Sequence, residues 1–261
     1  MKIFILFVIS LSLLANISKA DERKFNYTYQ STIMNKGEKD LEIWTTARIG
    51  KADGYYARLD HRLEFEVGLS KKLQTAFYLN FSNVTTTEPD GAKKTNFNFQ
   101  GFSSEWKYQV LNPFKDGIGF ALYTELGLNT DEIELETKFI FDKRIGNTTL
   151  ALNLTAEPEW KLQNGPAEKE FKLVSSFGIS HSFGPNFSAG FEIRQPNIYV
   201  NGDLEHSALF GGPVFSFAEN TWFVNLTVLP QIAALKKNGS ENLDLVEFEK
   251  LETRLMFSFS L

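Results

Sequence analysis

The chain has no cysteine among its 261 residues. That excludes a disulfide framework and any cysteine-held zinc or iron–sulfur centre. It has no basic surplus: 27 Lys and Arg stand against 32 Asp and Glu. A nucleic-acid binder needs basic stripes, so that class of partner is excluded too. Beyond the first twenty residues it has no long apolar run, hence no candidate transmembrane helix. No glycine-rich phosphate loop occurs, and no His, Asp and Glu grouping has metal-ligand spacing. Neither a metal nor a cofactor is therefore expected. What remains is an aromatic-heavy apolar fraction, with 25 Phe, and the direction in which those rings point decides the class.

Residues 1–20 read as an export signal. Met1-Lys2 supplies a positive start, Ile3 to Leu14 an apolar core broken only by Ser10 and Ser12, and Ser18-Lys19-Ala20 a small-residue cleavage site. The core is too short to span a bilayer as a helix. Loss of Lys2 and Lys19 takes the formal charge from −5 to −7. Asn-x-Ser/Thr triplets at Asn26, Asn80, Asn83, Asn147, Asn153, Asn186, Asn225 and Asn238 are read as the chance product of strands rich in Asn, Ser and Thr. An exported chain without cysteine points to a bacterial envelope.

After the signal, alternation dominates. Leu59, His61, Leu63, Phe65, Val67 and Leu69 share one parity, and Asp60, Arg62, Glu64, Glu66 and Gly68 the other. Successive strand residues point to opposite faces, so one face is apolar and the other charged. The same holds where Leu251, Thr253, Leu255, Phe257, Phe259 and Leu261 oppose Lys250, Glu252, Arg254, Met256, Ser258 and Ser260. Twelve strands are expected, near 40–50, 56–69, 72–83, 95–110, 117–128, 132–142, 148–161, 169–183, 186–196, 205–217, 221–233 and 245–261. Tight turns such as Gly184-Pro185-Asn186 alternate with longer polar loops such as Val84 to Lys94. Gly211-Gly212-Pro213 reads as a bulge or kink.

This pattern predicts an all-β, antiparallel, up-and-down transmembrane barrel over residues 40–261, in a bacterial outer membrane. A soluble sandwich also alternates, but its strands are shorter. Trp106, Tyr108, Trp160 and Trp222 fall near strand ends, where an interfacial girdle belongs. Residues 21–39 precede the wall. Phe25 to Ile33 is itself strand-like, but a thirteenth strand does not suit an even-stranded barrel, so the segment is assigned outside the wall, at the periplasmic mouth or in the lumen, with a fourteen-stranded barrel as the alternative.

The terminal Phe257-Ser258-Phe259-Ser260-Leu261 resembles the C-terminal strand signal that bacterial outer-membrane barrels present to their assembly machinery. That pattern prefers a terminal aromatic, and here Leu261 stands in its place. Lys36-Gly37-Glu38, Leu41-Glu42-Ile43-Trp44-Thr45, Asp60 to Leu69 and Tyr78-Leu79-Asn80 are together similar to a family of uncharacterised, transporter-like outer-membrane barrels. The resemblance implies a membrane barrel and carries no catalytic residue.

The inward parity carries Arg48, Arg58, Asp60, Arg62, Glu64, Glu66, Glu105, Lys107, Glu125, Glu134, Glu136, Lys138, Glu157, Glu159, Lys172, Glu192, Arg194, Glu252 and Arg254. Such a lumen suits a narrow channel for small solutes. It equally suits a non-conducting barrel braced by ion pairs. Arg58, Asp60, Arg62, Glu64 and Glu66 are consecutive inward positions of one strand and the first candidate for a constriction. A third reading is a lipid-acting enzyme at the outer rim around Glu205, His206 and Ser207. Lipid and lipopolysaccharide are the expected surroundings. Acidic loop residues at Glu88-Asp90, Asp131-Glu132 and Glu241-Asp244 offer a cation bridge to lipopolysaccharide, or simple solvated charge.

Overall fold

A computed structural model describes residues 23–129, 132–162, 169–236 and 242–261. The export signal lies outside these, as do Asp131 and Glu241. Twelve strands follow in sequence: β1 Lys39–Ile49, β2 Tyr56–Gly68, β3 Leu73–Thr87, β4 Lys93–Leu111, β5 Gly119–Leu128, β6 Glu132–Ile145, β7 Thr148–Lys161, β8 Lys169–Ser182, β9 Phe187–Val200, β10 Asp203–Ala218, β11 Trp222–Lys236 and β12 Leu251–Ser260. Each pairs antiparallel with its neighbour, and β1 pairs with β12 from Asp40↔Ser260 to Ile49↔Leu251 to close the ring. Closure has a physical cause. An open edge would leave backbone N–H and C=O groups without partners, at several kcal/mol each in hydrocarbon.

The outer surface is apolar. Leu63, Phe65, Phe77, Leu122, Phe139, Leu152, Phe177, Phe191, Phe215 and Phe257 are all exposed on it. Their sequence neighbours Glu64, Glu66, Ala76, Tyr123, Lys138 and Ser216 are buried within. The chemistry is therefore inverted relative to a water-soluble sandwich. Asn153 and Asn225, two of the Asn-x-Thr positions, are wholly buried in the interior. Trp106, Tyr108 and Trp160 are exposed outward near strand ends, and Trp222 begins β11 opposite Phe259. Phe257 and Phe259 also face outward, and the Leu261 N–H donates to the Lys39 carbonyl at 2.9 Å.

Residues 25–33 form no strand, as the assignment outside the wall had it, and twelve strands close the ring without them, so the fourteen-stranded alternative falls. The structure differs from the sequence reading in three places. The expected loop from Asn197 to Leu204 is a two-residue hairpin. Asn201 and Gly202 both adopt positive φ (54° and 97°), the geometry of a type I′ turn, and β9 and β10 run right up to it. Pro196, at the end of the expected strand, is paired with Val174 within β9. Residues 245–250 form no part of β12: this stretch folds inward, and Gln231 Nε2–H donates to the carbonyls of Asp244 (3.0 Å) and Glu249 (3.1 Å). Finally, β4 bulges at Gly101, where the register against β3 slips. Gly101 has φ +122°, and an added Cβ would lie 2.1 Å from the Leu128 carbonyl. The bulge changes the parity, so Phe97 and Phe99 face outward before it and Phe102, Trp106 and Tyr108 after it.

The hairpins between β2 and β3, β4 and β5, and on round to β10 and β11 form one rim, the turn rim. The other connections form the loop rim.

Candidate functional site

The N-terminal residues 23–34 lie inside the barrel. Lacking a strand partner, their backbone takes its hydrogen bonds from wall side chains. One carboxylate, Glu192 on β9, accepts the N–H groups of Asn26 (3.2 Å), Tyr27 (2.9 Å) and Thr28 (2.8 Å), and the Thr227 hydroxyl at 2.8 Å. Asn153 on β7 makes a reciprocal pair with Tyr29: its Oδ1 accepts the N–H at 2.5 Å and its Nδ2 donates to the carbonyl at 2.9 Å. Asp142 accepts Ser31 N–H at 2.9 Å, and Gln74 accepts Met34 N–H at 3.0 Å. From the other side, Asn225 donates to the Arg23 carbonyl and Gln109 to that of Ser31. A buried backbone without partners would be costly, so these inward Asn, Gln, Asp and Glu residues specify where the segment lies.

Wall glycines make room for it. A Cβ at Gly178 would sit 2.6 Å from the Phe25 ring, and one at Gly68 2.1 Å from the Asn35 carbonyl. Tyr29 joins Trp44, Ala121, Tyr123, Ile140, Phe223 and Met256 in an apolar layer across the interior. Parity alone placed Met256 on the polar face, among charges. It is inward as expected, but the inward layer at that height is apolar because the segment fills it.

The segment separates two cavities. Toward the loop rim, a vestibule of about 690 Å³ is lined by Tyr27 and Tyr29 and by most of the ionisable wall. Toward the turn rim, a space of about 500 Å³ is lined by Lys24, Gln30 and Thr32 of the segment, with Phe114, Asp142 and Arg144.

The vestibule gathers many of the inward charges. Arg48, Arg58, Arg62 and Arg254 come from β12, β1 and β2. Glu125, Glu134, Glu136, Glu157, Glu159 and Glu170 come from β5 to β8, roughly half a turn round the ring. Arg48 pairs with Asp60 (2.9 Å) and Glu252 (2.7 Å), and Arg194 reaches Glu252 at 3.1 Å. Arg58 pairs with Asp60 at 2.6 Å. Arg62 crosses to Glu125 at 3.2 Å, from β2 to β5. Lys172 lies among Glu157, Glu159 and Glu170. Arg254 has no ion pair among the described residues; it donates to Thr46 and the Asn26 carbonyl, and its guanidinium lies 4.1 Å from the Tyr27 ring. Lys138 lies 4.2 Å from the Tyr29 ring. Wall cations thus clasp both tyrosines that floor the vestibule.

The remaining candidates lie elsewhere. Glu64, Glu66, Glu105 and Lys107 are buried and do not line the vestibule. The run of five ionisable positions on β2 is therefore split, with Arg58, Asp60 and Arg62 in the vestibule and Glu64 and Glu66 beneath it.

The three histidines are dispersed. His61 bonds Thr45 and Asn83, and His181 bonds Thr148 at the turn rim. His206 Nδ1 lies 2.7 Å from Oδ2 of Asp244. Ser207 donates to Asn197 Oδ1 at 2.7 Å.

The segment's clamp was not legible from the sequence. Its signals were there: polar inward residues on strands otherwise matched to lipid, and glycines at Gly68 and Gly178 in mid-strand or at a strand end.

Comparison with known proteins agrees with this architecture. A family model described as a family of unknown function (DUF6662) matches residues 17–261. No curated protein matches the chain. Among solved structures, the COG4313 outer membrane channel from Pseudomonas putida F1 superposes with a TM-score of 0.64 at 9% identity, covering 92% of this chain and 100% of that one. The NanC porin gives 0.57 at 11% identity, covering 85% and 100%. The KdgM porin gives 0.53 at 11%, covering 85% and 99%. At such identities the likeness is one of fold.

Proposed function

Because the chain belongs to the family of unknown function DUF6662, whose name carries no activity, we propose its function from the lumen: a narrow outer-membrane channel for small polar solutes, closed by its own N-terminal segment. The observation that carries this reading is the charged vestibule ending on a floor of Tyr27 and Tyr29. A barrel needing only mechanical bracing has no use for an open, ionisable chamber of that size. The solved channels and porins that share the fold support the same reading.

In this reading the turn rim faces the periplasm and the loop rim the exterior. The apolar belt contacts lipid, lipopolysaccharide surrounds the outer rim, and the β12 end, Phe257 to Leu261, presents itself to the assembly machinery. Eleven carboxylates line the vestibule against nine Lys and Arg among the described residues. Small cations and solutes carrying an amino group are therefore favoured over anions.

A second reading, a sealed structural barrel, draws on the Arg62–Glu125 pair that bridges non-adjacent strands. Single-channel recording separates the two. The full mature chain should conduct weakly, and a chain lacking residues 23–34 several-fold more, with cation preference in a salt gradient. A deletion variant that keeps the heat-modifiable barrel band yet conducts no better would overturn the channel.

A further inference from the structure

Beneath the vestibule lies an acidic group that solute passage does not use. Glu42 on β1 faces Glu64 on β2 in register, and Glu66 follows on the same inward face. One carboxylate oxygen from each lies within 4.8 Å of the others, and all three side chains are buried. Two of them have partners. Glu42 Oε2 accepts Trp44 Nε1–H at 2.8 Å and lies 3.4 Å from Arg23 Nη1. Glu66 Oε1 accepts Gln74 Nε2–H at 3.1 Å.

Glu64 differs. It is 0% exposed, and neither of its oxygens has a hydrogen-bond partner. Oε1 of the neighbouring Glu105 is buried and unpartnered as well. A buried carboxylate whose oxygens have no partner is costly, and the Arg23–Glu42 ion pair at this group leaves both Glu64 oxygens unpartnered. An ion held by Glu42, Glu64 and Glu66 would give the Glu64 oxygens the partner they lack. The donors are all hard oxygens, with no His among them, which suits calcium or magnesium over zinc or copper. Oxygens around such an ion, each ~2.3–2.6 Å from it, lie within about 5 Å of one another.

We propose that Glu42, Glu64 and Glu66 form a divalent-cation site of the calcium or magnesium class in the turn-rim half of the lumen. The ion joins β1 to β2 beside Arg23, and so braces the root of the N-terminal segment. No spacing along a single strand announces the site, because cross-strand register assembles it.

Trp44 makes the site directly observable. It touches Glu42, whereas Trp106 and Trp160 are exposed on the outer wall. In the full mature protein in detergent, terbium should show tryptophan-sensitised emission that saturates near one ion per barrel and is displaced by calcium. Glu64→Gln should weaken terbium binding at least tenfold while the heat-modifiable band persists; if that variant fails to fold, Glu66→Gln serves. Trp44→Phe should abolish the emission while the protein still retains calcium by elemental analysis. The proposal is overturned if wild-type protein gives no more emission than Trp44→Phe and retains no calcium, as a proton shared between Glu64 and Glu66 would require. It is equally overturned if both Gln variants bind as wild type, which would move the ion elsewhere, for instance to Glu134, Glu136 and Glu157.

Discussion

Glu192 shows how much one lumen side chain can decide. It accepts three consecutive backbone N–H groups and a hydroxyl. Truncation would leave those donors buried and unpaired, at about 1–3 kcal/mol each. Glu192→Ala should therefore release residues 25–29 while the barrel stays closed. The absence of cysteine supplies the assay. A thiol introduced by Asn26→Cys, at a wholly buried position, should label slowly in the parent and at least tenfold faster with Glu192→Ala. Equal rates in the two would remove Glu192 from the clamp. Gly178 tests the same contact by volume. A Cβ there meets the Phe25 ring at 2.6 Å, so Gly178→Val should also speed labelling, and Phe25→Ala should relieve the clash.

At the scale of elements, the β4 bulge and the inward loop after β11 are the departures from plain alternation. Gly101 combines a left-handed φ with a Cβ direction blocked by the Leu128 carbonyl. Gly101→Val should lower the yield of heat-modifiable barrel in refolding, whereas Gly146→Ala, at an open turn position, should cost only about 1–2 kcal/mol. The loop at 242–250 is held by Gln231 and by His206 against Asp244. Within it, burial raises the Glu249 carboxyl above its ordinary value, and Arg48 opposes that rise. A raised carboxyl pKa favours the packed loop at low pH, and the contribution is lost as pH rises through the packed-state value. Proteolysis within 242–250 should quicken across that rise, and Glu249→Gln should flatten the dependence. A wild-type rate independent of pH would show that Glu249 does not bear on the loop.

For the whole molecule, closure of β1 on β12 involves no residue of the N-terminal segment. Barrel and plug are therefore separable. Deleting residues 23–34 should leave the heat-modifiable band and the far-ultraviolet strand signal intact while raising conductance. Loss of the barrel with the deletion would mean that the segment is part of the folding core. Arg62→Ala with Glu125→Ala should also raise conductance, since together they remove a strut between β2 and β5.

Alternation along the chain was enough to set the class, the number of strands and which parity meets lipid. A membrane wall one residue thick imposes a strict period of two, and that period is local. Leu63, Phe65 and Phe257 outward with Glu64, Glu66 and Ser258 inward were legible for this reason. What fills the ring was not. The clamp on residues 23–34, whose place off the wall was expected, the meeting of Arg62 with Glu125, and the convergence of Glu42, Glu64 and Glu66 depend on strand register and on contacts across the lumen. Those bring together residues far apart in sequence, and no local period encodes them; only the closed ring does.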